Sequence, residues 1–229
     1  MSVADTGIAA RLREVENRMR AAEARSGRPA GSVLLCAVTK TFPAAAVAEA
    51  VAAGVTDIGE NRVQEADGKQ DEVIALGVRP RWHLIGHLQS NKARRAVQMF
   101  EVIQSIDSVA IAERVVRLAD ELDRTIEAYV EVDLGHEETK TGANVADVPA
   151  ILAALTSPSH VKVCGLMTVP PFFEDLELVR PYFVRLRSLR DELLPGGGLS
   201  MGMSHDFEVA IEEGATIVRV GSAIFGSRG

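Results

Sequence analysis

Hydrophobic positions change their period along the chain, and the changes mark out the elements. Ile8, Leu12, Val15, Met19 and Ala22 recur at helical spacing among Arg and Glu, which predicts an amphipathic helix over the first 26 residues. The Ser26-Gly-Arg-Pro-Ala-Gly31 cluster ends it. Short β-branched runs then appear near 33–39, 55–59, 81–86, 101–106, 126–133, 160–168, 198–201 and 216–220. Helical patterns near 43–53, 62–76, 90–99, 108–123, 144–156, 174–194 and 205–213 lie between them, and a short last helix follows Gly221. Pro181 falls inside the longest helical pattern and predicts a break or kink there. The strand runs are apolar almost throughout, as expected when both faces are covered. Eight strands alternating with helices predict a (β/α)8 TIM barrel, an α/β fold, with residues 1–26 packed against it and 1–229 forming one domain. A doubly wound open sheet is the alternative, but it would more naturally have five or six strands.

Composition adds limits. Apolar residues make up 47% of 229 and aromatics only 4%, so the core is aliphatic and rich in small side chains. Lys and Arg number 25 against 32 Asp and Glu, a net charge of -7, so no global positive field gathers nucleic acid or anionic lipid. In the C-terminal half the longest uncharged stretch, Val148 to Val161, is too short and too polar to span a bilayer. Cys36 and Cys164 make no disulfide framework, and both read as buried free thiols. With no apolar secretory core near the N-terminus, a reducing, cytoplasmic setting is expected.

In such a barrel the functional groups sit at the C-terminal ends of the strands. Those ends carry Lys40; Glu60, Asn61 and Arg62; His83 and His87; Ser105 and Asp107; Asp133; Met167 and Thr168; Met201, Ser204, His205 and Asp206; and Arg219, Gly221 and Ser222. Lys40 follows the wholly apolar Val33–Val38 run, and partial desolvation favours the neutral amine that forms a Schiff base with an aldehyde. Ser204, just before the helical pattern from Asp206, stands in an N-cap position. Gly221 and Ser222 open the last short helix, where a glycine lets backbone approach an anion. These are the two loops where barrels often bind phosphate. A phosphate site opposite a Schiff-base lysine suggests pyridoxal phosphate. Arg219 would face the barrel interior and meet the pyridine nitrogen; the plain alternative pairs it with an internal carboxylate such as Asp133 or Asp206.

The segments Ala37-Val-Thr-Lys-Thr41, Gly59-Glu-Asn-Arg62, Trp82-His-Leu-Ile-Gly-His-Leu-Gln-Ser-Asn-Lys92 and Glu138-Thr-Lys-Thr-Gly142 resemble the pyridoxal phosphate homeostasis protein family. So do Gly165-Leu-Met-Thr168, Leu199-Ser-Met-Gly-Met-Ser204 and Arg219-Val-Gly-Ser-Ala-Ile-Phe-Gly226. The resemblance runs from about residue 3 to the C-terminus. It implies a fold type III barrel similar to the N-terminal domain of alanine racemase, with Lys40 as the aldimine lysine. It also implies phosphate contacts from Ser204, Gly221 and Ser222, and Arg219 at the pyridine nitrogen. Asn61, His83 and Met201 match positions lining the cofactor pocket, and Ser105 is placed with them. Thr39, Ser222 and His205 depart from the residues usual at their positions.

Racemisation needs acid–base groups on both faces of the substrate α-carbon. Lys40 could serve one face, but only seven residues follow Ser222, so no second domain is expected to supply a tyrosine for the other. Tyr129 and Tyr182 are badly placed, while His83 and His87 are possible substitutes. The expectation is a monomeric pyridoxal phosphate carrier without turnover, acting in homeostasis or delivery to apo-enzymes. A racemase-like enzyme and a cofactor-free Schiff-base aldolase acting on a sugar phosphate are the alternatives. Lys140 is either a solvated loop lysine or a secondary acceptor of the aldehyde.

Overall fold

A computed structural model describes residues 7–135, 141–156 and 160–226 of the chain. Eight parallel strands close into a barrel in sequence order: β1 (Leu34–Val38), β2 (Asp57–Glu60), β3 (Arg81–Leu84), β4 (Val102–Ile106), β5 (Ile126–Glu131), β6 (Val161–Met167), β7 (Gly198–Met203) and β8 (Ile217–Val220). β1 pairs with both β2 and β8, so no strand edge is left open. The helices are α1 (Ile8–Arg25), α2 (Ala44–Ala52), α3 (Val63–Ala75), α4 (Ala93–Met99), α5 (Val109–Glu121), α6 (Val148–Leu155), α7 (Arg180–Leu193), α8 (Phe207–Glu212) and α9 (Ser222–Phe225). The barrel expectation therefore holds, and the open sheet is excluded by closure.

Strand alternation sorts the core into two parts. Residues turned outward join the helices in one large apolar cluster, with Ala37, Ile58, Leu84, Ile103, Val130, Leu166, Leu199 and Val218 among its strand members. A smaller cluster of Cys36, Val102, Tyr129, Met167 and Ile217, one residue from each of five strands, fills the barrel interior. Cys36 is buried as expected, whereas Cys164 is only half-buried.

The Pro181 expectation resolves into a break. A 3-10 turn spans Leu176–Leu178, and α7 starts at Arg180 with the proline in its first turn, where its missing N–H costs nothing. The first helix packs on α8 and α9 through the buried Leu12, Val15 and Met19. Arg18 reaches Glu208 at 2.8 Å, and its guanidinium lies 4.6 Å over the Phe207 ring. Buried Glu23 accepts the Gly31 and Val33 amides at 2.8 and 2.9 Å, which fixes the chain's entry into β1. Among the described residues no helix is long and apolar enough to cross a membrane.

α1 thus shares the barrel's main core. Leu12→Ala is expected to lower the unfolding free energy by about 2–5 kcal/mol in a urea titration. A loss below about 1 kcal/mol would mean that α1 is not part of the cooperative unit.

Candidate functional site

At the C-terminal mouth a cavity of about 410 Å³ is lined by Lys40, Asn61, Ser204, Arg219, Gly221 and Ser222, six of the residues singled out in the sequence. Val38, Phe42, Ile85, Val169, Met203 and His205 form much of the remaining wall. Three predicted residues lie elsewhere. His83 is fully buried beneath the cavity, bonded through its two ring nitrogens to Asp57 and Gln104. Ser105 donates to the Gly86 carbonyl at 2.7 Å. Met201 packs in the shell between barrel and helices. Lys140 lies outside the described residues.

Lys40 follows β1 directly, and the turn beneath it is tied to β2 and α3. The Thr39 hydroxyl donates to Glu60 Oε1 at 2.6 Å, and Lys69 Nζ donates to the Thr39 carbonyl and Glu60 Oε1 at 2.8 and 2.7 Å. Burial pushes the Glu60 carboxyl up, while Lys69 and Thr39 pull against the shift. Thr41, next in the chain, has φ 69°, an outlier for a β-branched residue. Its amide donates to the Glu65 carboxylate, which holds the strained turn.

The opposite wall comes from β7, β8 and α9. Ser204 does not cap α8; Asp206 takes that position. Instead, Ser204 Oγ accepts the Gly221 and Ala223 amides at 3.1 and 3.3 Å, joining the β7 loop to the start of α9. A Cβ on Gly221 would stand 3.1 Å from the Val38 carbonyl oxygen, so the glycine permits close packing against the end of β1. Asn61 owes its place to Gly86, where a Cβ would meet the Asn61 carbonyl oxygen at 2.3 Å.

Arg219 sits at the base of the cavity, almost wholly buried. Nη1 donates to Ser200 Oγ at 2.6 Å and Nη2 to the Thr168 carbonyl at 2.8 Å. Neither Asp133 nor Asp206 is its ion-pair partner: Arg219 has no carboxylate within 4.0 Å among the described residues. Burial pushes its guanidinium below the usual arginine range, against the fields of Cys36, Glu131 and Asp206. Glu131, at the end of β5, is also buried; Oε1 accepts from Thr141 at 3.1 Å and Oε2 has no partner. Burial pushes its carboxyl up to about 7, helped by Asp107 and opposed by Thr141, Arg219 and His87. His87 pairs with Asp107 at 3.0 Å and lines an adjoining cavity that shares Asn61 with the first.

The site therefore offers one amine, one buried guanidinium, and a convergent set of hydroxyls and amides suited to a small anion bearing an electrophilic carbon. Met203 is not singled out in the sequence, and His205 is placed at the functional strand ends without a role in the pocket. His205 Nε2 bonds to the Phe173 carbonyl at 3.0 Å, and its ring lies 5.0 Å from that of Phe172. Ile85 could have been found, since it follows inward-facing His83 by two positions, one residue past the end of β3.

Comparison with known proteins gives the family and the fold. The family model for the N-terminal domain of alanine racemase matches residues 11–229. A pyridoxal phosphate homeostasis protein of Aquifex aeolicus is 42% identical over 225 residues, covering 95% of this chain and 97% of its own. Its counterpart in Pseudomonas aeruginosa is 41% identical over 222 residues, covering 96% of each chain. The structure of PipY from Synechococcus elongatus with pyridoxal phosphate bound has a TM-score of 0.82 at 42% identity, covering 96% of this chain and 100% of that one.

The Glu131 environment generates a pH dependence. The folded protein holds this proton more tightly than the unfolded chain, so the contribution is complete below about pH 4.5 and is lost as pH rises through about 7. Glu131→Gln should flatten the stability profile across that window and exceed wild type by up to about 3 kcal/mol near pH 8. Urea titrations over the range measure it; an unchanged slope would refute the assignment.

Proposed function

Since the chain belongs to the pyridoxal phosphate homeostasis protein family, we propose that it binds pyridoxal 5′-phosphate at the barrel mouth and holds it for delivery to apo-enzymes. One observation carries this reading: Lys40, Arg219 and the Ser204–Gly221–Ser222 donor set line a single cavity of about 410 Å³. That volume suits a ligand of this size. When bound, the cofactor supplies an aldehyde that condenses with an amine, a ring nitrogen and a phosphate dianion.

Each feature has a counterpart in the chain. Lys40 Nζ is the amine that captures the aldehyde. The Ser204 and Ser222 hydroxyls, with the Ser222 amide, would take the phosphate through neutral donors, while the Gly221 and Ala223 amides, which donate to Ser204 Oγ, hold that hydroxyl in place. Arg219 would meet the ring nitrogen; as a guanidinium does not give up its proton, that nitrogen would stay unprotonated and the ring would withdraw electrons weakly. Asn61 completes the wall between Lys40 and the adjoining cavity.

Holding without turnover fits the groups present. Besides Lys40 and Arg219, His205 is the one ionisable side chain among the described residues of the cavity wall. Tyr129 is buried in the barrel interior, and Tyr182 packs its ring against Phe173. The His83 ring nitrogens are both engaged, and His87 belongs to the neighbouring cavity. A racemase-like activity would have to use Lys40 and His205 together.

The protein loaded with pyridoxal phosphate is expected to show a visible band that Lys40→Ala abolishes. Borohydride should fix the pyridoxyl label on the Lys40 peptide. A label persisting in Lys40→Ala at Lys140 would instead assign the secondary lysine a direct part. Optical rotation of the common amino acids should stay constant with the loaded protein. Sustained racemisation, lost in His205→Ala, would replace the holding role with turnover.

A further inference from the structure

Arg219 is the head of a hydrogen-bonded chain that runs down the barrel interior. Its Nη1 donates to Ser200 Oγ at 2.6 Å, and the Ser200 hydroxyl donates to Gln104 Oε1 at 2.5 Å. Gln104 Nε2 lies 2.8 Å from His83 Nδ1, and His83 Nε2 lies 2.8 Å from Asp57 Oδ1. The chain crosses β8, β7, β4, β3 and β2. Ser200, Gln104 and His83 are fully buried, and Arg219 and Asp57 are exposed by only 4% each.

The two ends set the sense of every bond between them. A guanidinium only donates, so the Ser200 oxygen accepts and its proton goes to the Gln104 carbonyl. That leaves the Gln104 NH2 facing His83, whose Nδ1 must accept and is therefore bare. Asp57 only accepts, so His83 Nε2 carries the proton. Asp57 is held below the usual carboxylate range: burial opposes this, but bonds from His83 and Thr56 and the charge of Arg81 outweigh it. Arg81 lies 3.9 Å from Asp57 and is itself bonded to Glu127 at 2.6 Å.

We propose that Asp57, acting through His83, Gln104 and Ser200, is the remote counter-charge of Arg219, and that Gln104 is the positioning residue that fixes the relay's direction. Every dipole in the chain points the same way, so the relay stabilises the buried cation from below. Glu131 and Asp206 act on Arg219 through their fields only, and among the described residues no carboxylate within 4.0 Å draws the guanidinium away from the cavity. A direct ion pair would neutralise Arg219 where the site uses it. Gln104 touches no cavity wall, so its role is exercised through Arg219 alone. This inference rests on the reading of Arg219 as the partner of the cofactor's ring nitrogen.

Gln104→Glu replaces the amide donor with an acceptor of the same shape, which His83 can meet only with a proton on Nδ1. Long-range 15N–1H NMR should show a wild-type His83 with a bare Nδ1 and protonated Nε2. In Gln104→Glu both nitrogens should be protonated, the visible band of the loaded protein should shift, and the pyridoxal phosphate Kd should rise at least about fivefold. Ser200→Ala cuts the relay between Arg219 and Gln104 and serves also if Gln104→Glu does not fold. It should leave the His83 tautomer unchanged while moving the band and the Kd. A wild-type His83 protonated on Nδ1, or both variants binding within twofold of wild type with an unmoved band, would overturn the proposal. Wild-type protein that fails to bind the cofactor while His83 keeps the expected tautomer would sink the proposed function and leave the relay's direction standing.

Discussion

Arg219 donates to a serine hydroxyl and a threonine carbonyl and among the described residues touches no carboxylate, although it is buried inside a closed barrel. An uncompensated buried cation is costly, so its surroundings must supply oriented dipoles. They come from two neighbouring positions, the end of β6 and β7, whose backbones are bonded to each other. Thr168, whose carbonyl accepts one bond, is held through its own hydroxyl by the Val132 carbonyl at 2.9 Å. Ser200, which accepts the other, is the second member of the chain ending at Asp57. The interior is accordingly mixed, an apolar cluster of Cys36, Val102, Tyr129, Met167 and Ile217 beside a continuous polar thread. A fully apolar interior would leave Arg219 nothing to bond.

The second cation is positioned by a different device. Lys40 and Arg219 come from adjacent strands, since β1 pairs with β8 in the register Cys36 to Arg219. Two positive groups in one cavity repel, so each needs its own support. For the Lys40 turn this is the Glu60–Lys69–Thr39 cluster, together with the Glu65 carboxylate on the Thr41 amide. The strained Thr41 conformation persists because these bonds over-determine it. The support lies in β2 and α3, the elements that also deliver Asn61.

Strand order and most site positions could be read from the sequence because both depend on short-range periodicity. An apolar run ending in a polar residue marks the strand end, and barrel closure carries every such end to one mouth. What could not be read depends on register or on distant partners. Ser204 has the local signature of a cap for the following helix, yet the amides it accepts are 17 and 19 positions away, beyond β8. Met201 and Met203 exchange roles because the β7–β8 register shifts between Ser200 and Met203, where Gly202 has φ 94°. A Cβ at Gly202 would meet Ala210 Cβ at 2.6 Å, so only glycine lets the strand turn its next side chain to the cavity. His83 points inward as alternation requires, but alternation does not say in which layer of the barrel a residue stands. Gln104 carried no motif at all, because its importance lies in two partners contributed by other strands.

Charge distribution bears on how firmly such a site can hold a dianion. The chain carries a net charge of -7, so its overall field opposes the approach of an anion, though screening confines this to about 8 Å at physiological salt. At the Ser204–Gly221 end the donors are hydroxyls and amides, not guanidinium groups. Charged donors form hydrogen bonds about twice as strong as neutral ones. The strong charge, Arg219, stands instead at the base of the cavity, where in the proposed role it would orient the ring and not clamp the phosphate. Outside the cavity several arginines pair with carboxylates, as Arg180 does with Glu177, Glu212 and Glu213. Affinity in the proposed role then rests mainly on Lys40 and on short-range neutral contacts. Covalent capture by an amine reverses when another amine takes the lysine's place, and neutral phosphate contacts release with it. The proposed delivery role needs that balance more than it needs the tightest grip.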